Sequence, residues 1–378
     1  MGPLSGKRII EIKGIGPGPY AGMVLADLGA EVLVVERASS PNPSGIPTSI
    51  DLCSRGKKSI ALDLKNPEGV NTLLKLVESA DAILEGFRPG VVEKLGIGPE
   101  QCMQRNPKIV YGRITGWGQE GPLSQSAGHD LNYIALTGAA NAIGTHAQPT
   151  PPLNIIGDYA AGSLFLVVGM LSAMIEASES GKGQVIDSAI TDGSAHLMSM
   201  FYSLTKAGAW GVGRQRNLLD GGAPFYRAYR TSDDKFIAVA PIEPHFFAEM
   251  LKLAGLSPDY IKVRNNPKHW PQMHEDFAKH FASKTRDEWA DIFEGSDACV
   301  TSMLDYQEAL SHEHNVARQT YVDVDGDTQP APAPRFSRTD AKVSHGAHAE
   351  GADTKQALQD WGIDSNEIER LDSLGVLT

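Results

Sequence analysis

The 378-residue sequence predicts an α/β protein, with a large domain on a Rossmann-like parallel sheet and a smaller α+β domain. Two observations carry this. Strand and helix patterns alternate through the first 90 residues in units long enough for βαβ crossovers. From about residue 187 the texture changes to a Met- and aromatic-rich stretch, followed by an independent set of strand and helix patterns between 223 and 304.

Residues 8–12 (RIIEI) read as the first strand, and a Gly/Pro loop at 14–19 (GIGPGP) leads to a helix over 20–28 closed by Gly29. A second, apolar strand covers 31–35. Residues 59–64 (SIALDL) repeat the strand pattern, 67–79 (PEGVNTLLKLVES) open a helix on Pro67, and 82–85 and 109–114 (IVYGRI) supply two more strands. In the second half, 235–240 (KFIAVA) reads as a strand and 244–254, 271–281 and 286–294 as amphipathic helices. A Pro/Ala linker at 329–334 leads to a capped helix over 353–362 that ends on Gly362. The expected division is a large domain over 1–190 completed by 330–378, a small domain over 223–304, and connecting stretches at 191–222 and 305–329.

A net charge of −12, from 34 Lys and Arg against 46 Asp and Glu, argues against a nucleic-acid partner. The deficit is uneven: residues 1–90 hold 10 basic and 10 acidic side chains, so the excess acid lies beyond them. Cys53, Cys102 and Cys299 are too scattered for a disulfide framework, which fits a reducing cytoplasm. Glycines and prolines break any signal-peptide core near the start, and residues 375–378 (GVLT) match no retention address. The longest apolar run, 160–175, is shorter than a membrane span and reads as a buried helix.

The loop at 14–19, with Glu36 ending the next strand, resembles a dinucleotide fingerprint only superficially. Pro19 stands where the third glycine belongs, and Pro17 and Pro19 lack the N–H groups that would grip a pyrophosphate, so a tight turn without NAD is expected. Cations recur near the strands: Arg37 after the second, Arg55-Gly56-Lys57-Lys58 before the third, and Arg88 past the fourth in 85–90 (EGFRPG). Such points border the ligand crevice of open α/β sheets, and the set suits a phosphorylated nucleotide such as the adenosine 3′-phosphate of coenzyme A. A solvated basic surface is the competing reading.

His129, in 127–133 (AGHDLNY), follows a turn-rich segment and can present an imidazole, which titrates near neutrality, at a cleft mouth. Asp158, in 153–159 (LNIIGDY), precedes the apolar helix, either as a plain N-cap or as a carboxylate held at the helix start. Glu243 is presented rigidly between Pro241 and Pro244, whereas Asp187 and Asp192 read as fold-supporting acceptors. His312, His314, His345 and His348 lack companions of metal-ligand type, so no metal is expected. Met198, Met200, Phe201 and Tyr202 read either as core or as an adaptable acyl surface.

The blocks PLSG at 3–6, GPGP at 16–19, DLGAE at 27–31, RGKK at 55–58, LDLK at 62–65, EGFRPG at 85–90, GHDLNY at 128–133 and APRF at 333–336 together resemble the family III CoA-transferase superfamily. Within it they resemble the α-methylacyl-CoA racemase branch, and His129 favours that branch, since the transferases are not expected to carry the histidine. The resemblance implies exchange of an α-proton between (R)- and (S)-2-methylacyl-CoA through an enolate. His129 and Asp158 would be the two acid/bases, Glu243 a partner of His129, and main-chain N–H groups around His129 and Asp130 the enolate donors. It also implies coenzyme A contacts from Arg37, Arg55, Gly56, Lys57, Lys58, Leu62, Asp63, Leu64, Lys65 and Arg88, and from Gly128, Leu131, Asn132 and Tyr133. The acyl-CoA is then the substrate, with no further cofactor and no membrane partner. The implied assembly is an interlocked homodimer whose active site joins one subunit's large domain to the other's small domain. The enzyme alternative is a CoA-transferase with Asp158 as nucleophile, and the non-enzymatic one an acyl-CoA-binding protein.

Overall fold

The computed structural model describes residues 2–36 and 45–377. Six parallel strands form its main sheet: β1 (Arg8–Ile12), β2 (Glu31–Glu36), β3 (Lys57–Ala61), β4 (Ala82–Glu85), β5 (Val110–Thr115) and β6 (Val185–Ala189), in the order β3-β2-β1-β4-β5-β6. The order reverses between β1 and β4, and a crevice at the carboxyl ends of those strands is the ligand position of such sheets.

Strand alternation builds two cores. Ile10, Leu33, Ile60, Ile83 and Tyr111 face one side, with Leu73 and Leu76 of α2 (Pro67–Val77) and with Leu358, Trp361 and Leu371 from the chain's end. Ile9, Val32, Leu84 and Val110 face the other, against Leu25 of α1 (Pro17–Asp27) and Leu166 and Met170 of the helix Leu164–Ser180. Burial on both faces explains the apolar strands.

Three local expectations change. α1 begins at Pro17, three residues before 20, because proline is tolerated in a helix's first turn and Gly16 makes the preceding bend at φ 70°. β3 starts at Lys57 rather than 59, since Lys57 pairs with Val32 and the strand runs out where Ala61 meets Glu36. The apolar helix is not buried all round: Leu166, Val167, Met170, Ala173 and Ala177 pack inward, but Val168 and Ile175 are 62% and 65% exposed. It continues a π-helical segment, Ile155–Ser163, and the 26 residues Ile155–Ser180 are long and apolar enough to cross a bilayer by length and composition.

Residues 138–152 and 198–316 form a second compact unit, and the rest of the chain the first. The second holds an antiparallel sheet, β7 (Arg227–Arg230), β8 (Phe236–Val239) and β9 (Val300–Met303), over an aromatic core of Phe225, Phe247, Phe277, Phe281 and Trp289. Its helices Pro244–Ala254, Trp270–Phe281 and Arg286–Phe293 lie where the amphipathic pattern put them. The Met/aromatic stretch is not core: in the helix Ser199–Lys206 no residue is buried, and Met200 and Tyr202 are exposed.

Candidate active site

The loops that leave β4 and β5 carry the first half of the site. β5 ends at Thr115, and the turn that follows delivers His129 as the N-cap of the helix Asp130–Leu136, with extended backbone at φ −133°. Asn132 closes this end, its Oδ1 accepting the His129 main-chain N–H at 3.0 Å. That donor is therefore occupied, whereas the Asp130 N–H has no acceptor among the described residues. Tyr133 fixes the loop from behind. Its ring lies edge-on to Trp117 at 4.8 Å, its hydroxyl donates to the Gly128 carbonyl, and a Cβ at Gly116 would overlap the ring. A cavity of about 200 Å³ lies here, lined by His129, Tyr133, Trp117 and Arg88 among others. Arg88, in the loop after β4, makes no ion pair among the described residues. Leu131 is exposed on the same helix.

Asp158 sits within the π-helical turn rather than capping it. Ser163, wholly buried, shares its single hydroxyl proton between the Pro17 carbonyl at 2.7 Å and the Asp158 carbonyl at 2.9 Å, tying this turn to the loop that opens α1. The tight-turn reading of the Gly/Pro loop gains a purpose here, since a Cβ on Gly16 would stand 3.3 Å from the Asp158 Oδ2. Asn154 Nδ2 donates to the same oxygen at 3.5 Å, and Tyr159 stacks on Tyr20 at 4.3 Å behind it. Burial and the like charge of Asp130 push the Asp158 carboxyl up to about 6, against the pull of Asn154 and His129. Asp130, the residue after His129, accepts the Asp158 main-chain N–H at 2.6 Å, so the two segments that carry His129 and Asp158 meet here.

The expected cations divide into two groups. Arg55 is 3% exposed: its Nε and Nη2 donate to Asp27 at 3.2 and 2.6 Å, and its Nη1 to Gln329 at 2.9 Å and the Pro330 carbonyl at 2.7 Å. Lys57, 2% exposed, donates to Glu11 at 2.5 Å and the Pro19 carbonyl at 2.8 Å. Both side chains, expected at coenzyme A, are spent on buried carboxylates and main-chain carbonyls here, as burial selects paired cations. Lys58 bridges Glu31 and Asp360, and Gly56, at φ 68°, donates to the His345 carbonyl. Leu62 is core, and Asp63 accepts the Lys65 N–H at 2.9 Å. Leu64 and Lys65 instead border an open apolar groove of about 520 Å³ with Leu74, Leu95 and Lys94. Lys65 and Lys94 make no ion pair among the described residues; only local spacing after an apolar segment could have pointed to Lys94. Arg37 lies outside the described residues.

A model of CoA-transferase family III matches residues 4–354. The chain belongs to this family. It is 44% identical to the α-methylacyl-CoA racemase of Mus musculus and 40% identical to that of Homo sapiens, in each case over 98% of this chain and 96% of the relative. The succinyl-CoA–D-citramalate CoA-transferase of Chloroflexus aurantiacus is more distant, 29% identical over 99% of this chain and 98% of its own. Among solved structures, a hypothetical protein of Mycobacterium tuberculosis matches with a TM-score of 0.78 at 26% identity, covering 93% of this chain and 98% of that one. A CAIB/BAIF family protein from Brucella suis shares the fold, with a TM-score of 0.77 at 23% identity over 95% of this chain and 99% of its own.

Within this family III chain the remaining expected residue, Glu243, belongs to the second unit. It is exposed at the start of the helix Pro244–Ala254, where its carbonyl accepts the Phe247 N–H at 3.0 Å and its side chain makes no hydrogen bond among the described residues. Arg264 shapes its surroundings, held between Phe225 and Phe247 at 4.3 and 4.5 Å and donating to the Ile242 carbonyl. Asp187 accepts the Gln119 N–H at 2.9 Å, the fold-supporting part expected of it. No metal-binding cluster occurs among the described residues.

Proposed function

We propose that this chain is an isomerase that interconverts (R)- and (S)-2-methylacyl-CoA thioesters, with His129 and Asp158 as the two acid/bases. The observation that carries this reading is Asp158, a carboxyl raised to about 6 beside an imidazole. Inversion needs one group to remove the α-proton while the other returns one on the opposite face, and the roles exchange with the direction of turnover. A carboxyl titrating near 6 is available in both forms around neutrality, which a carboxyl near 4 is not. The intermediate enolate needs a donor already in place. Because Asn132 occupies the His129 N–H, the Asp130 N–H is the donor assigned to the thioester oxygen. The chemistry requires no cofactor beyond the coenzyme A of the substrate.

The unpaired cations at the carboxyl ends of the strands, Arg88 and Lys65 with Lys94 beside it, are assigned to the coenzyme A phosphates, and the Leu64–Leu95 groove to its adenosine. Arg88→Ala and Lys65→Ala should each raise KM about tenfold with kcat within about twofold, as loss of uniform binding does. Steady-state kinetics with one acyl-CoA epimer checks this, and a fall in kcat alone would exclude the assignment.

A homodimer is part of this proposal. Leu164, Val168 and Ile175 leave an apolar helix face uncovered within the chain, and a second copy is the assigned cover. In that assembly Glu243 of one subunit would orient His129 of the other. Light scattering should give a mass twice the 40.5 kDa of the chain, lowered by Val168→Lys; a wild-type monomer would remove the dimer. Free Cys53, Cys102 and Cys299 suit a reducing compartment such as the cytoplasm.

The experiment that tests the activity follows a single epimer of a 2-methylacyl-CoA by chiral separation, with and without an added free carboxylate. Approach to an equal mixture without acceptor supports the racemase. Transfer of CoA to the carboxylate, with configuration retained, would instead indicate a transferase with Asp158 as nucleophile.

A further inference from the structure

Behind Asp158 lies an arrangement that proton transfer by two bases does not itself require. Asp130, in the first turn of the helix Asp130–Leu136, turns its carboxylate toward the π-helical turn, where Oδ1 accepts the Asp158 main-chain N–H at 2.6 Å. The Gly157 backbone lies against the same carboxylate. Only glycine permits this approach, because a Cβ at Gly157 would overlap the Asp130 carboxylate. The other oxygen, Oδ2, is buried without a hydrogen-bond partner. A buried carboxylate oxygen without a partner is costly, and Asp130 makes no ion pair among the described residues.

We propose that Asp130 is a positioning residue whose carboxylate tethers the Asp158 backbone and places a negative charge against the Asp158 side chain. The inference rests on the racemase reading and deepens it. The bond from the Asp158 N–H sets where the Asp158 carboxyl points, and the charge disfavours the Asp158 anion, so that the protonated form needed in one direction of turnover stays accessible. The other groups around Asp158 act differently. His129 and Asn154 favour its anion, while Tyr159, stacked on Tyr20 and beside Cys53, and Tyr133 are neutral at working pH. Asp130 is the one negative charge among these neighbours.

The test is a carboxyl 13C NMR titration of Asp158 in the full-length protein, assigned with Asp158→Asn, in wild type, Asp130→Asn and Asp130→Glu. Asn keeps an oxygen acceptor for the Asp158 N–H but loses the charge, so the Asp158 midpoint should fall by about one pH unit. Glu keeps the charge, and should leave the midpoint closer to wild type than Asn does. If Asn folds poorly, Asp130→Ser is the second neutral variant and must move the midpoint in the same sense. An unchanged midpoint in the folded neutral variant would overturn the proposal. The acid limb of kcat/KM should follow the NMR midpoint in Asp130→Asn, with KM within about twofold. Because the NMR titration does not depend on turnover, a wild-type chain that fails to racemise would sink the functional reading without deciding the role of Asp130.

Discussion

Asp158→Asn should abolish racemisation while making the protein more stable at neutral pH. The loss is expected to reach about 10²–10⁴ in kcat, the scale of losing a positioned acid/base, with KM changed little. The gain in stability follows from the raised carboxyl. In the folded chain Asp158 holds its proton to about 6, whereas an unfolded chain releases it near the ordinary aspartate value of about 3.9. Between those limits the folded state binds more protons, so stability falls as pH rises from about 4 to about 6, and the full penalty is present at pH 7. Asn carries no such penalty. Because Asp158 is only part-buried, solvent screening reduces the expected gain to about 1 kcal/mol. Thermal melts at pH 7.5 and pH 4 check the sign: the difference between variant and wild type should be clear at the higher pH and absent at the lower.

The second large effect is structural. Arg55→Met leaves Asp27 buried without its two guanidinium bonds and releases Gln329 and Pro330, which hold the returning chain against α1. Removing one member of a buried ion pair typically costs about 3–5 kcal/mol, so this variant should unfold at far lower urea than wild type. Replacing both members, Arg55→Met with Asp27→Leu, should recover a large part of that loss, because no unpaired charge remains. Equilibrium denaturation of the two variants makes the comparison. If Arg55 served a phosphate instead, the single variant would keep its stability and lose substrate affinity.

The contrast between Arg55 and Arg88 marks what the sequence could and could not convey. Runs of Val, Ile and Leu in β1, β2 and β4 fixed the strands, because a parallel sheet buried on both faces leaves little else possible there. A cation beside a glycine reads alike whether it faces solvent, a phosphate or a buried carboxylate. The partners that decide are remote: Asp27 lies 28 residues from Arg55, Glu11 lies 46 from Lys57, and Gln329 lies 274 from Arg55. His129 and Asp158 stood out because both sit in short turn-to-helix segments beside glycines. The π-helical geometry at Asp158 was not legible, since its five-residue spacing leaves no hydrophobic period of its own. Gly157 was the local trace of Asp130's approach, a glycine where a helix would otherwise favour a side chain.

The central claim, that two different groups remove and return the α-proton, is tested most directly by the first turnover in D₂O. One epimer of a protiated 2-methylacyl-CoA is converted to a small extent, and mass spectrometry reads the separated product. With His129 on one face and Asp158 on the other, every molecule of inverted product should carry deuterium from the outset, because the group that reprotonates has equilibrated with solvent. Inverted product that retains the substrate's own proton would contradict the account, since it would mean that one group carries the proton from face to face.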